Sequence, residues 1–130
     1  MLLDTDSLKP IYVQIAEWLE TEILNGNIAG DEKMYSQYQL ADMFNINPAT
    51  AAKGLNILAN EKLLYKKRGL GMFVSSHARA AIRSKRINRN LKQLVLELVA
   101  EAKRLDVDED ELISMIRTTD LQAQRRRDHE

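Results

Sequence analysis

SQYQLADMFNINPATAAKGLNILANEKLLYKKRGLGMFV, residues 36–74, is the stretch that decides the fold. Ser36 followed three residues later by Gln39 has the form of a capping box, and Leu40, Met43 and Phe44 then supply a short apolar face. That helix lasts about two turns, because Asn45 accepts the left-handed conformation of a helix end. Asn47-Pro48 restarts a helix at once, with Asn47 as N-cap and Pro48 in the first turn, so two helices meet across Asn45 and Ile46. At about 100° per residue, Ala51, Leu55, Leu58 and Ala59 share one side of the second helix. Ala49, Lys53, Asn56 and Asn60 take the other, with Thr50 at the edge, so the outward face is polar but nearly uncharged. Beyond Glu61-Lys62, Leu63-Leu64-Tyr65 and Met72-Phe73-Val74 read as two short strands around Lys66-Lys67-Arg68-Gly69-Leu70-Gly71, a basic hairpin.

Upstream, Pro10 takes the first position of a helix whose Tyr12, Ile15, Ala16, Leu19 and Ile23 recur at helical spacing until Asn25-Gly26-Asn27 stops it. Downstream of Ser76 there is no proline or glycine, and Leu91, Leu94, Val95, Leu98, Val99, Ala102 and Leu105 form an apolar stripe on one long helix. Its first half, Arg79 to Asn90, is basic and poor in large apolar residues, and is expected to lie across the surface without entering a core. Asp108 with Glu111 caps a last helix carrying Leu112, Ile113, Met115 and Ile116, which frays at Arg125-Arg126-Arg127. The expected fold is mainly α with a small β-hairpin, in two parts: a helical domain closed by the hairpin over 1–75 and a two-helix segment over 76–130. The stripe made by Leu91, Leu94, Val95, Leu98 and Leu105, together with Leu112 and Ile116, exceeds what two helices can cover alone, so the tail is expected to form a homodimer.

The 130 residues suffice for a core, with 45% hydrophobic content. Cysteine is absent, which excludes disulfides, thiolate metal sites and cysteine nucleophiles and suits the cytoplasm. The start MLLDTD resembles neither a secretory signal nor a transit peptide, and no run reaches the ~20 apolar residues of a membrane helix. The formal charge of +0 hides an uneven distribution. Between Met43 and Leu96 eleven bases face one acid, Glu61, while the rest of the chain holds eight bases and eighteen acids. A basic middle in an otherwise acidic chain is the footprint of a polyanion-binding surface or of a solvated helix face.

A short helix, a tight turn, a second helix with a polar outward face and then a basic hairpin is the order of parts in a winged helix-turn-helix. The second helix must enter a major groove about 12 Å wide, and its small residues Ala49, Thr50, Ala52 and Gly54 are expected to bring the backbone close to base edges. Lys53 and Asn56 then reach bases or phosphates. Lys66, Lys67 and Arg68 beside Gly69 and Gly71 suit a phosphate or minor-groove contact.

These residues resemble the GntR family of bacterial transcription regulators. The resemblance rests on Pro10-Ile11-Tyr12-Val13-Gln14-Ile15, Leu40-Ala41, Asn47-Pro48-Ala49-Thr50 and Arg68-Gly69-Leu70-Gly71-Met72-Phe73-Val74. The Asn-Pro-x-Thr helix start and the short tail are similar to the YtrA subfamily, whose members lack a large effector domain and dimerise through the tail. The resemblance implies a promoter-proximal repressor, often beside transporter genes, with DNA contacts at Ser36, at Asn47, Pro48, Ala49 and Thr50, at Lys53, and at Gly69 to Gly71. Gln37 and Tyr38 stand with Ser36 as candidate contacts. Where the family usually reads Pro-Ser-Glu-Arg this chain has Tyr35-Ser36-Gln37-Tyr38, and Pro48 stands where an arginine is typical. Both departures bear on the operator sequence and not on the binding mode. Tyr38 either donates its hydroxyl to a phosphate or packs partly buried.

No enzyme or cofactor reading has residues to stand on. Asp106, Asp108 and Asp110 alternate as in a calcium loop, but Glu111 and Arg117 occupy the positions that need glycine and glutamate. His77 and His129 have no evident metal or acid–base partners, and Gly69-x-Gly71 lacks the third glycine of a dinucleotide loop. Trp18 reads as core or interface packing. Three readings stand: a dimeric repressor on a palindromic double-stranded operator, a winged-helix module that binds protein, and a sensor with a small-molecule effector, of unknown identity, at the dimer interface.

Overall fold

The computed structural model describes residues 3–128. The order of elements is α1 (Ile11–Leu24), α2 (Gln37–Phe44), α3 (Pro48–Asn60), β1 (Leu64–Lys67), β2 (Gly71–Val74), α4 (Ala78–Arg86), a π-helical turn (Ile87–Leu91), α5 (Lys92–Arg104) and α6 (Glu109–Asp128). The sequence reading divides the chain after residue 75. Its internal packing divides it after Arg86, and a second compact unit begins at Ile87.

The first unit is a three-helix core closed by a hairpin. Ile15, Leu19 and Ile23 of α1, Leu40 of α2, Leu58 of α3 and Val74 of β2 are all nearly or wholly removed from solvent. Gly54 is buried too: a β-carbon there would stand 2.9 Å from Ile15 Cγ2 and 3.0 Å from the Tyr12 carbonyl. It faces α1 and lets two helices approach closely, which corrects the expectation that it opens the outward face of α3 to DNA. Trp18 packs edge-on to Phe44 with ring centroids 5.0 Å apart and lies 6.1 Å from Tyr35, the packing role read from the sequence.

Helix ends follow the local chemistry. Ser36 and Gln39 form the full reciprocal capping box on α2, and Asn45 ends that helix at φ 53°, ψ 53°. Asn47 caps α3 with Pro48 as its first residue. At the other end of α3, Lys62 takes φ 62° and the Leu63 amide donates back to the Leu58 carbonyl at 2.9 Å, a Schellman closure without glycine. Pro10 lies just outside α1, as its N-cap.

Helix α4 departs from the sequence reading. Ala78 and Ile82 are fully buried and join the core, with Ala81 packed against it. The stretch is basic yet amphipathic, and its small or β-branched apolar residues at 78, 81 and 82 form a narrow stripe that a count of large residues misses. The expected single long helix is interrupted by the π-helical turn, and α6 continues through Arg125–Arg127 to Asp128 where fraying was expected. The strands are likewise shifted, with Lys66 and Lys67 inside β1.

In the second unit α5 ends in another Schellman closure, with Asp106 at φ 56° and the Val107 amide on the Ala102 carbonyl. Asp108 Oδ1 then accepts from the Glu111 amide at 2.8 Å, opening α6. Among the described residues of this unit only Ala102 is buried. Of the expected dimer residues Leu91, Leu94, Val95, Leu98, Leu105 and Ile116 are exposed, and Leu112 is half-buried.

Candidate nucleic-acid interface

The turn between α2 and α3 is short and rigid. The Ile46 amide donates to the Ala41 carbonyl at 3.0 Å across the left-handed Asn45, so the two helices are joined without slack. The caps leave chemistry over. Ser36 Oγ accepts from the Gln39 amide at 3.1 Å, which leaves its hydroxyl proton free to donate. Asn47 Oδ1 accepts from the Ala49 amide at 2.8 Å, which leaves its amide protons free. Both lie at helix N-termini, where backbone N–H groups and the helix dipole favour an anion.

Ala49, Lys53 and Asn56 are exposed on α3, with Pro48 and Thr50 half-buried, so the outward face is polar as the periodicity requires. Lys53 reaches over the Tyr12 ring, with its ammonium 5.8 Å from the centroid. Gln37 is half-buried. Tyr38 is 67% exposed, which removes packing as its role and leaves the hydroxyl in solvent.

The hairpin carries Lys66, Lys67, Arg68, Gly69 and Gly71, all exposed. Antiparallel pairing sets Leu64 against Val74, Tyr65 against Phe73, Lys66 against Met72 and Lys67 against Gly71. Gly69 and Gly71 have φ of 77° and 110°, a region L side chains rarely enter, so the tight turn requires them. Tyr65 and Phe73 stack with centroids 5.9 Å apart. The Lys67 ammonium sits 4.5 Å from the Phe73 centroid and 5.9 Å from that of Tyr65. Leu70, at the tip between the glycines, is 60% exposed.

Sequence reasoning missed a third strand-like segment. Lys33 bridges to Phe73, the Met34 amide donates to the Met72 carbonyl at 2.8 Å, and the Val74 amide donates to the Glu32 carbonyl at 2.9 Å. Tyr65 donates its hydroxyl to Asp31 Oδ1 at 2.9 Å. That bond, with slight burial and the nearby carboxylate charge, raises the Tyr65 pKa above its ordinary value. No period-two pattern marks residues 31–34, which explains why the segment is not visible from sequence.

The basic middle of the chain divides into two kinds of cation. Lys85 pairs with Glu20 and with Glu61, the latter at 2.9 Å, and Arg86 donates to the Glu17 carbonyl and to Thr21 Oγ1, each at 3.0 Å. Arg79 donates to the Leu24 carbonyl at 2.9 Å. These three hold α4 to the core. Lys66, Lys67 and Arg68 form no ion pair among the described residues. Those residues also hold no cluster of three or more metal-ligating side chains and no helix long and apolar enough to cross a membrane. His129 lies outside the described residues.

Comparison with known proteins adds the family. The model of "Bacterial regulatory proteins, gntR family" matches residues 11–74. The chain is 41% identical over 75 residues to the HTH-type transcriptional repressor NagR of Bacillus subtilis, covering 58% of this chain but only 31% of NagR. It is 30% identical over 98 residues to the HTH-type transcriptional repressor YtrA of the same organism, covering 73% of this chain and 75% of YtrA. A GntR family transcriptional regulator from Listeria monocytogenes has a similar structure, with a TM-score of 0.71 at 26% identity over 87% of this chain and 97% of the other. With a winged helix-turn-helix in place and a relative matched over three quarters of its length, this chain belongs to the GntR family of bacterial transcription regulators.

Proposed function

We propose that the chain is a cytoplasmic, dimeric transcriptional repressor of the short, YtrA-like kind, which binds a twofold-symmetric operator in double-stranded DNA and needs no cofactor. The matched family is one of bacterial regulatory proteins, which fits a regulator and not an enzyme. The observation that carries the reading is the separation of cations. Arg79, Lys85 and Arg86 of α4 are bound to the protein's own acids and carbonyls, while Lys66, Lys67 and Arg68 of the wing stay exposed beside glycines.

In this reading α3 enters the major groove. Ala49, Thr50 and Lys53 meet base edges or nearby phosphates, with Pro48 in the first turn that leads them in. Ser36, Gln37, Tyr38 and Asn47 hold phosphates at the helix starts, and Lys66, Lys67, Arg68, Gly69 and Gly71 hold the backbone or minor groove. The tail supplies the twofold axis, through a face that includes Leu91, Leu94, Val95, Leu98, Leu105, Leu112 and Ile116, so half-sites fall about one helical turn or slightly more apart.

A salt-dependent mobility shift on the DNA upstream of the protein's own gene and on random duplex tests this. Thr50→Ala is expected to cost about 1–3 kcal/mol on the operator and little on random DNA. Lys67→Ala with Arg68→Ala should weaken both DNAs alike and lower the salt slope by roughly two per subunit. A protein whose affinity for either DNA ignores all three changes is not a DNA-binding repressor of this design.

A further inference from the structure

The segment ahead of α2 brings a cation to the wing. Lys33 faces the side of the hairpin that carries Phe73, Tyr65 and Lys67, because its bridge to Phe73 places it in register with them. Its aliphatic stem runs across Gly71: a β-carbon on that glycine would meet Lys33 Cε at 3.1 Å and Nζ at 3.9 Å. In the β1–β2 register Lys67 stands opposite the same glycine. Two lysines therefore flank Gly71, one from β1 and one from the 31–34 segment. Lys33 is exposed and forms no ion pair among the described residues.

The Asp31 carboxylate near this face accepts from the Tyr65 hydroxyl and forms an ion pair with neither lysine, so two like charges beside one exposed glycine leave room for a further anion. We infer that Lys33 is a DNA-binding residue of the wing, which contacts a backbone phosphate with Lys67 across Gly71. The inference rests on the DNA-binding reading above. It gives Gly71 a second task besides the turn, that of clearing the path of the Lys33 stem. It also ties the wing to the start of α2, since Lys33 precedes the Ser36 cap by three residues on one continuous segment. A lysine serves here because a phosphate needs only a flexible point charge.

The test is a salt titration of binding to a random-sequence duplex by the full chain, its Lys33→Met and Lys33→Arg variants, and the Lys67→Ala/Arg68→Ala variant. Lys33→Met keeps the stem over Gly71 and removes only the charge. It should lower the slope of log K against log salt by about one per subunit, with equal loss on the upstream DNA, and Lys33→Arg should restore most of it. The thermal midpoint should not move. If Lys33→Met keeps the full slope while the Lys67/Arg68 variant loses its share, Lys33 is no phosphate contact and the inference falls alone. If neither variant changes the slope, the wing does not bind DNA and both readings fall. A loss confined to the upstream DNA would mean that Lys33 reads bases, which also overturns the phosphate assignment.

Discussion

The unit that ends at Arg86 and the unit that begins at Ile87 are made of similar apolar residues and use them in opposite ways. Leu19, Leu40 and Leu58 have no contact with solvent, because α1, α2, α3 and β2 supply partners for one another. Leu91, Leu94 and Leu98 lie 53%, 60% and 41% exposed on and beside α5. The first unit closes a core within the chain, and the second leaves its apolar stripe exposed, the surface the proposed dimer would cover. Leucine content alone therefore does not say where a core is; what matters is whether an element of the same chain faces the stripe.

The sharpest way to break this contrast is to place charge on the tail. Leu94→Glu with Leu98→Glu puts four carboxylates into a symmetric interface, each costing roughly 2 kcal/mol or more if buried. Sedimentation should then show monomers, while urea unfolding of the first unit stays where it was. A dimer that persists would move the interface elsewhere on the molecule. The complementary change is Leu58→Ala, which opens a cavity in the closed core and should cost about 2–5 kcal/mol in urea unfolding. A loss below about 0.5 kcal/mol, the range of surface substitutions, would mean that the core of the first unit is not closed around α3.

How much of this contrast was legible follows from how local each signal is. The capping box at Ser36, the left-handed Asn45 and the Asn47-Pro48 start are decided within four residues, and all three stand as read. Gly54 was misplaced because periodicity fixes a face only approximately, and the approach of α1 that a glycine permits is a tertiary fact. Helix α4 reads as a surface element because its charges dominate its composition, while the Glu20 and Glu61 that pair with its Lys85 lie far away in sequence. The pairing of residues 31–34 with β2 and the position of Lys33 at the wing were hidden for the same reason. Of the proposed site, the residue types and their order were readable, but the division between occupied and free cations was not.

Lys85 sharpens that division with a smaller effect. Glu20 is almost fully buried, and Lys85→Met would leave its carboxylate without its partner, at about 1–3 kcal/mol. Burial lowers the Lys85 pKa, but its hydrogen bonds to Glu20 and Glu61 and their charges outweigh that and leave it raised above 10.5. A raised pKa in the folded state means that the pair's contribution is complete below the ordinary lysine value and is lost as pH rises through the folded one. The stability gap between wild type and Lys85→Met should therefore be flat through neutral pH and close only in the alkaline range. A gap that already narrows below pH 9, more than one unit under that ordinary value, would show that the raised pKa does not come from this pair.

The smallest expected effect probes the strap that carries Lys33 to the wing. Tyr65 donates to Asp31, and the bond raises its pKa from the ordinary 10.0 by favouring the protonated phenol. The bond is solvent-exposed, so its loss should hardly move the unfolding midpoint, but it has a spectroscopic signature. In an ultraviolet titration of the four tyrosines, one should ionise above the ordinary range, and Asp31→Asn should return it toward 10.0. The sign follows from the same linkage: whatever the bond contributes is present below the ordinary tyrosine pKa and lost above the raised one. If Asp31→Asn leaves all four titrations unchanged, the hydroxyl bond does not persist in solution, and the 31–34 segment is held to the hairpin by its backbone pairing to Met72 and Val74 alone. That backbone pairing still fixes the register of Lys33, so the salt-slope loss of Lys33→Met should survive in the Asp31→Asn background. Loss of that effect would show instead that the side-chain bond, and not the strand pairing, sets the cation beside Gly71.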